Sequence, residues 1–548
     1  MLTCRLRLVA RAELDSHPPM LPPSPSPRSA WDRLGLSTVP MSLLVLLVLA
    51  CLVRVAGLPA VQGTMGRDEA RLALAARGIL EHGLPILPDG FLYTRGLLPA
   101  YLNAVTFATI GPADQAARLS DLIFSTLLVA AVYRLGRLAG GHRPALVAAI
   151  IVAFSPPLVL QAREAWLYSS FLLWLTLALG WLVRDQPGDR LRAGLAASAA
   201  LFSHELAVLL LPAALLLDLG RWWEARRLRL HGSPNRHPWP ASWRAVALFW
   251  TPALVSLAII AALSLALRAP TAGGSTGEIR EYLRFSMDPR GLELSLDILG
   301  SWHPWLLPMA VLGLPFSRAG WRAMLAGRGI MPCLLMLLTV LCFNSFGLVR
   351  RGESRYMLAA IPFLAVVAAV ALDRAGPSIV AALVGMRRLG AARHIVRIVL
   401  LIGLLAVTLD PSRLLTDAQS RAVPNTWVQG MVGHQQADLI VSFAPTLTTH
   451  YLGRTDFWLR SDGYAKYVWA GITPLRDVHT GATVLRTPAE VDLLLIQPNA
   501  GRTVWVVLSG DPATDSSRGM RELGQYLSAL AVETRRPADG RIVLRIEL

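Results

Sequence analysis

From residue 41 to residue 410 the chain alternates long apolar runs with short, arginine-rich connections. A membrane-spanning helix needs about 20 apolar residues, and fewer where it is broken or buried among other helices. That rule predicts eleven spans, at roughly 41–60, 117–134, 144–160, 165–184, 190–203, 205–219, 245–267, 302–317, 329–348, 356–373 and 394–410. The connections 134–143, 184–192, 218–244, 318–328 and 373–397 then share one side. They carry twenty arginines against five acids, whereas the opposite connection 268–301 carries four arginines and five acids. Because cytoplasmic loops hold the basic excess, the N-terminus is expected in the cytoplasm and everything after residue 410 outside. The apolar stretch 96–111 (GLLPAYLNAVTFATIG) would invert every later loop if it spanned. A short re-entrant or membrane-surface helix on the outer side is expected there.

Both ends follow other patterns. Residues 1–38 hold Pro18, Pro19, Pro22, Pro23, Pro25 and Pro27 and no apolar period, which predicts a disordered cytoplasmic tail. Arg5, Arg7 and Arg11 break any apolar core that a cleaved signal peptide would need, and Met20 or Met41 could serve as a later start. Past residue 411 charge rises and short β-rich runs appear at Asp438–Phe443, Thr503–Leu508 and Arg541–Glu547, with helical windows near Thr487-Pro488-Ala489-Glu490 and at Ser517. Strands alternating with helices predict a small α/β domain. The expected class is a mostly α polytopic membrane protein, with the tail at 1–38, a transmembrane domain at 39–410 with outer loops 61–116 and 268–301, and an extracytoplasmic α/β domain at 411–548.

Composition narrows the function. Of 548 residues 54% are apolar and 16% charged, well short of the roughly 25% charged in soluble domains, which excludes an ordinary cytosolic enzyme. The formal charge of +17 could suit nucleic acid, but its arginines sit in short inter-span loops, where they control topology. Cys4, Cys51, Cys333 and Cys342 include no pair in a hydrophilic region, so neither a disulfide framework nor a cysteine zinc site is expected. No fixed-period repeat and no Walker or dinucleotide-binding glycine pattern is present.

The first outer loop carries the most informative run, Gly66-Arg67-Asp68-Glu69-Ala70-Arg71. Adjacent carboxylates at the membrane–water boundary can be partly desolvated, which raises a carboxylate's pKa and makes it a usable base. The plain alternative is that Asp68 and Glu69 favour a helix N-terminus, with Arg71 as a partner three residues on.

Several runs recur in the order found in a known family. They are Arg67-Asp68-Glu69-Ala70-Arg71, Gly83-Leu84-Pro85, Arg95-Gly96-Leu97-Leu98-Pro99-Ala100-Tyr101, Ala117-Arg118-Leu119-Ser120, Leu135-Gly136-Arg137, Ser155-Pro156 before Ala162-Arg163-Glu164, and Glu353-Ser354-Arg355-Tyr356-Met357-Leu358 with Pro362. This pattern resembles the GT-C membrane glycosyltransferases, in particular the protein O-mannosyltransferases and the lipid A aminoarabinose transferases. The resemblance implies transfer of a sugar from a polyprenyl-phosphate donor to an acceptor (protein, lipid or polysaccharide) at the outer membrane face, with inversion at the sugar carbon. It implies Asp68 at the reacting centre and Glu69 beside it, holding geometry or helping to bind a divalent cation. The departing group would be a phosphate, which a fixed cation stabilises. Arg350, Arg351 and Arg355, expected outside, are the best clamp, with Tyr356 as hydrogen-bond donor and Arg95 and Arg118 as weaker candidates. The alternative for these arginines is pairing with Glu353 or lipid headgroups.

Two departures stand out. Many family members place an acid about five residues after the position of Arg163; here Tyr168 stands there. Glu164, four residues earlier and on the same face if the stretch is helical, could replace it as a catalytic acid, or could simply pair with Arg163. Where the family commonly carries a lysine–glycine turn, this chain has Phe202-Ser203-His204-Glu205. His204 and Glu205 could orient an acceptor or bind a metal, or cap a helix end. The outer loop with Gly273-Gly274-Ser275-Thr276-Gly277, Glu278, Glu281 and Arg284 could close as a lid or merely connect. His450-Tyr451-Leu452-Gly453-Arg454 and Tyr464-Ala465-Lys466-Tyr467 mix aromatics with cations, and no site is assigned to them. Besides a glycosyltransferase, two readings remain. One is a lipid or glycolipid transporter or flippase, to which buried polar positions such as Asp121 and the 203–205 break would belong. The other is a non-catalytic envelope assembly protein.

Overall fold

A computed structural model describes residues 40–56, 58, 64–186, 188–230, 243–266, 289–312, 330–344, 354–383, 425–431, 433–464, 467–469 and 471–548. The chain divides into two units, residues 1–45 and 46–548. The described part of the first, residues 40–45, opens helix α1 (Met41–Ala56). The expected tail at 1–38 and the expected span at 394–410 lie outside the described residues.

In the second unit the helices are α2 (Arg67–His82), α3 (Leu97–Ile110), α4 (Asp114–Gly140), α5 (His142–Phe154), α6 (Pro156–Gln161), α7 (Tyr168–Arg184), α8 (Asp189–Ser203), α9 (Leu210–Leu230), α10 (Trp243–Ala266), α11 (Pro289–Trp302), α12 (Leu306–Leu312), α13 (Ile330–Phe343) and α14 (Ile361–Leu383). Short 3-10 turns at Glu205–Leu209 and Ser354–Ala360 lead into α9 and α14. Among the described residues, four helical stretches are long and apolar enough to cross a membrane: Asp114–Gly140, Glu205–Trp223, Val246–Leu263 and Ser354–Arg374. The protein is an integral, multi-pass membrane protein.

The bundle centres on α4, α5, α7, α8 and α14. Helices α4 and α5 approach closely at Gly136, where a Cβ would stand 2.7 Å from the Cα of Ala145. Apolar packing is reinforced by a buried guanidinium. Arg54 donates to Ser125 Oγ (2.8 Å) and to the carbonyl of Ala153 (2.9 Å), so its charge is solvated by the protein rather than by lipid.

Several sequence expectations shift for local reasons. The run 144–160 is interrupted: α5 stops at Phe154, Ser155 is extended, and Pro156 opens α6, because proline cannot continue a helix but suits its first turn. The stretch 96–111 forms α3, packed on α2 and α4. The expected span 302–317 splits where α11 ends at Trp302 and α12 begins at Leu306. Its last residues lie outside the described part, as do Gly273–Gly277, Glu278, Glu281 and Arg284.

The C-terminal region forms a mixed six-stranded sheet in the order β3-β2-β1-β4-β6-β5. Its strands are β1 (Leu439–Ser442), β2 (Phe457–Leu459), β3 (Thr483–Leu485), β4 (Thr503–Leu508), β5 (Glu533–Arg535) and β6 (Ile542–Glu547). The three apolar runs predicted as strands are β1, β4 and β6, the centre of the sheet. Strands β1 to β4 run parallel, and β6 is antiparallel to β4 and β5. Strands β2, β3 and β5, three residues each, are too short to show a period of two. Helices also lie where the windows placed them: Thr487 caps Pro488–Val491 through the Glu490 N–H, and Ser517 precedes α18 (Arg518–Leu530), with α15 (Trp427–Gly430), α16 (Pro445–Leu452) and α17 (Pro488–Val491) earlier.

This domain is not a detached appendage. Met65, Ala70, Ala73 and Ala76 at and along α2 share one buried apolar cluster with Ala104 and Phe107 of α3 and with Trp427, Ile440, Ala444, Leu447, Trp505, Val507 and Val543. Polar contacts repeat the attachment: Tyr451 donates to Asp114 (2.9 Å), and Asn425 donates to the Met65 carbonyl (3.2 Å). Helix α2 is thus held between membrane helices and the α/β domain.

Its opposite side is equally constrained. A Cβ on Gly78 would stand 1.9 Å from the Ile86 carbonyl oxygen, which is backbone and cannot swing aside. Gly78→Ala should therefore destabilise the protein by about 1–3 kcal/mol despite alanine's better helix propensity; a lowered melting temperature of the detergent-solubilised protein would show this.

Candidate active site

Helix α2 starts at Arg67, after Gly66 in extended conformation, and Glu69 folds back to accept the Gly66 N–H at 2.7 Å. Adjacent residues on a helix point about 100° apart, and the two acids consequently do different things. Glu69 turns inward. Its Oε1 accepts the Ala165 N–H (2.7 Å) and Arg118 Nε (3.2 Å), and its side chain is 10% exposed. Asp68 turns outward and receives Arg71 (3.2 Å) and Arg355 (2.9 Å), the latter from 287 residues along the chain.

Around Asp68 and Arg355 the side chains close a ring. Arg355 lies 6.0 Å from the Trp166 ring centroid and 5.8 Å from that of Tyr356. Tyr356 meets His204 edge-on at 6.4 Å. Glu205 follows His204 and pairs with Arg95 at 2.7 Å, and Arg95 returns to Trp166 at 5.9 Å. Tyr168 lies against His204 with ring centroids 4.9 Å apart. The charged members are open: Asp68, Arg95, Arg355 and Glu205 are 29–42% exposed. The aromatic members are closed off: Trp166, Tyr168, His204 and Tyr356 are at most 5% exposed. The result is a cleft with an ionic mouth and an aromatic back wall.

Electrostatics overturn one expectation. Burial alone would raise the Asp68 carboxyl, but the Arg71 and Arg355 guanidiniums outweigh it and hold the group below the usual aspartate range. Asp68 is therefore a firmly ionised carboxylate rather than a weakened acid. Its charge is present above the ordinary aspartate pKa and is lost only as pH falls through the lowered value. His204 is driven the other way: burial pushes it down to about 4, so its ring is neutral near pH 7. Its Nδ1 accepts the Leu206 N–H (3.1 Å), and the Glu205 oxygen 3.2 Å from that nitrogen is a neighbour rather than an ion-pair partner.

Of the sequence candidates, Asp68, Arg95, Arg355, Tyr356, His204 and Glu205 meet in this cleft. Arg118 does not reach it; 2% exposed, it is spent on Glu69. Glu69 likewise faces away, with its oxygens committed to two backbone N–H groups and Arg118. Glu164 is not on a helix with Tyr168. Residues 162–167 form turns, α7 begins only at Tyr168, and Glu164 accepts from Gln161 (3.0 Å), so the shared-face argument for it fails. Arg350, Arg351 and Glu353 lie outside the described residues. No group of three or more His, Cys, Asp or Glu side chains among the described residues is arranged to hold a metal.

Sequence reasoning missed Trp166 and the α/β domain's share. The Tyr467 ring lies 5.4 Å from Arg71, and the Phe443 ring 4.9 Å from Arg67. Trp469 donates to Asp89, and Phe91 packs edge-on against Trp469 (6.4 Å) and His479 (5.9 Å), joining the first outer loop to the C-terminal domain. Aromatics in the run Tyr464–Tyr467 gave a signal, but its partner, Arg71, is almost 400 residues away.

Comparison with known proteins bears on the fold. Residues 94–264 match the family model described as dolichyl-phosphate-mannose-protein mannosyltransferase. The chain resembles ArnT from Cupriavidus metallidurans, solved bound to undecaprenyl phosphate (TM-score 0.64, 15% identity, 92% of this chain and 97% of that one) and in the apo state (TM-score 0.62, 15% identity, the same coverage). It also resembles the archaeal oligosaccharyltransferase AglB from Archaeoglobus fulgidus in complex with an inhibitory peptide and a dolichol-phosphate (TM-score 0.50, 12% identity, 94% of this chain and 74% of that one). This is the GT-C fold. No curated protein matches the sequence. The GT-C resemblance read from ordered short motifs thus holds at the level of fold, including the α/β domain.

The Glu69–Arg118 pair makes a direct prediction. Glu69→Ala strands a buried guanidinium and should cost about 3–5 kcal/mol of stability, visible as a large drop in melting temperature, whereas Asp68→Asn at the exposed neighbour should leave the melting temperature nearly unchanged.

Proposed function

We propose that the protein transfers a sugar from a polyprenyl-phosphate donor to an acceptor hydroxyl at the outer membrane face. The observation that carries this reading is the Arg355–Asp68 contact at 2.9 Å inside a cleft that also holds Arg95, Trp166 and Tyr356. In this reading the carboxylate takes a proton and the cations beside it take a phosphate. The polyprenyl phosphates held by ArnT and AglB support the donor class.

In this reading the acceptor oxygen attacks the sugar's anomeric carbon as the bond from that carbon to the phosphate oxygen breaks, which inverts the centre. The acceptor proton passes to Asp68, and the electron pair leaves with the polyprenyl phosphate. Arg355 and Arg95 act on the oxygens where negative charge grows, where fixed cations contribute most. Each guanidinium already holds a carboxylate, so the phosphate competes with Asp68 and Glu205 for them. As Arg355 turns towards the phosphate, Asp68 loses one of its two nearest cations and becomes a stronger base. The positive-inside reading still puts the cleft outside and the N-terminus in the cytoplasm.

Transfer activity in reconstituted membranes tests the scheme. Asp68→Asn should lower turnover by about 10²–10⁴ with donor affinity kept or raised, because Arg355 no longer holds a competing carboxylate; full activity in that variant removes the proposed base. Arg355→Ala should weaken donor binding, and unchanged affinity would refute the clamp. Because Arg71 and Arg355 hold Asp68 ionised in the free protein, kcat/KM should fall on its acid side only below the ordinary aspartate range of about pH 4, which a pH–rate profile measures.

A further inference from the structure

The back wall of the cleft holds buried hydrogen-bond donors with nothing to donate to. Tyr168 Oη, Trp166 Nε1 and His204 Nε2 are buried polar atoms with no hydrogen-bond partner among the described residues. His204 Nδ1 accepts the Leu206 N–H, so the proton of the neutral ring sits on Nε2. All three groups can therefore donate. They are neighbours in one ring: His204 lies against Tyr168 at 4.9 Å and meets Tyr356 at 6.4 Å, and Tyr356 and Trp166 both lie beside Arg355, with Arg95 also beside Trp166.

A buried donor without an acceptor destabilises a fold, and native proteins keep few of them. Three beside two guanidiniums suit a group that only accepts, and since all three atoms are closed to solvent, the side chains around them must part to admit it. A sugar hydroxyl would bring its own donor hydrogen, and a metal ion would meet N–H and O–H hydrogens rather than lone pairs. A phosphate presents accepting oxygens alone.

We propose that Trp166, Tyr168 and His204 form a neutral, donor-only wall that takes the phosphate oxygens of the lipid-linked donor, opposite the charged contacts of Arg95 and Arg355. This rests on the glycosyltransferase reading and assigns residues to its donor subsite. His204 serves it as an uncharged donor, not as a metal ligand. Neutral donors suit a group that must leave again, because they hold the phosphate without adding fixed charge to that already on the arginines.

The test uses the full chain in lipid nanodiscs, with undecaprenyl phosphate and undecaprenol as paired probes that differ only in the phosphate. The wild type should prefer the phosphate lipid. Tyr168→Phe keeps the ring against His204 and removes only the hydroxyl; it should reduce that preference roughly tenfold to a hundredfold, leaving undecaprenol binding and melting temperature unchanged. Trp166→Phe, which keeps an aromatic face for both arginines, should act in the same direction and serves if Tyr168→Phe does not fold. If both variants keep the full wild-type preference, the donor wall is wrong while the glycosyltransferase reading stands. If the wild type itself fails to distinguish the two lipids, both are wrong.

Discussion

The site depends on the Glu69 carboxylate. In one side chain it caps the helix that carries Asp68, accepts the backbone of Ala165 just ahead of Trp166, and neutralises Arg118 on α4. Three segments distant in sequence are thereby set against each other. The helical offset between neighbours does the rest: with Glu69 committed inward, Asp68 can only face the cleft. Of the adjacent acids, Glu69 is bound into the scaffold and Asp68 is left to pair with Arg71 and Arg355.

The second organising feature is the division between an ionic mouth and an aromatic back wall. Charges at the mouth remain partly solvated, so their ion pairs are exchangeable, as surface pairs are. The aromatic wall is buried. A cleft built this way can trade ion-pair partners during a reaction without rearranging its scaffold.

Much of this was legible in the sequence, for reasons specific to each element. Strands β1, β4 and β6 were readable because central strands are long and apolar, whereas β2, β3 and β5 sit towards the edges and are too short to carry a pattern. The break at His204 showed as a polar interruption between apolar runs, and the kink after Phe154 was written in Pro156-Pro157 but passed over because hydropathy averages across it. Motif order singled out Asp68, Arg95, Arg355 and Tyr356, and the fold brings these four together. Arg118 came from motif order, which does not say which way a side chain points, and the argument for Glu164 fails because spacing assigns a face only once the helix boundary is known; α7 starts at Tyr168, after the segment on which that argument relied. Trp166 and Tyr467 could not be singled out, since an aromatic in an apolar chain gains meaning only from the arginine it lies against.

The apolar cluster shared by α2 and the α/β domain has a consequence for how the protein is made. The alanine face of residues 70–76 emerges early in synthesis, yet its outer cover includes Trp505, Val507 and Val543. Until those residues are translated and folded, the helix bearing Asp68 lacks part of its apolar cover. The cover of α2 is therefore completed late, and a chain stalled after its membrane helices would leave that alanine face without the α/β half of its cluster.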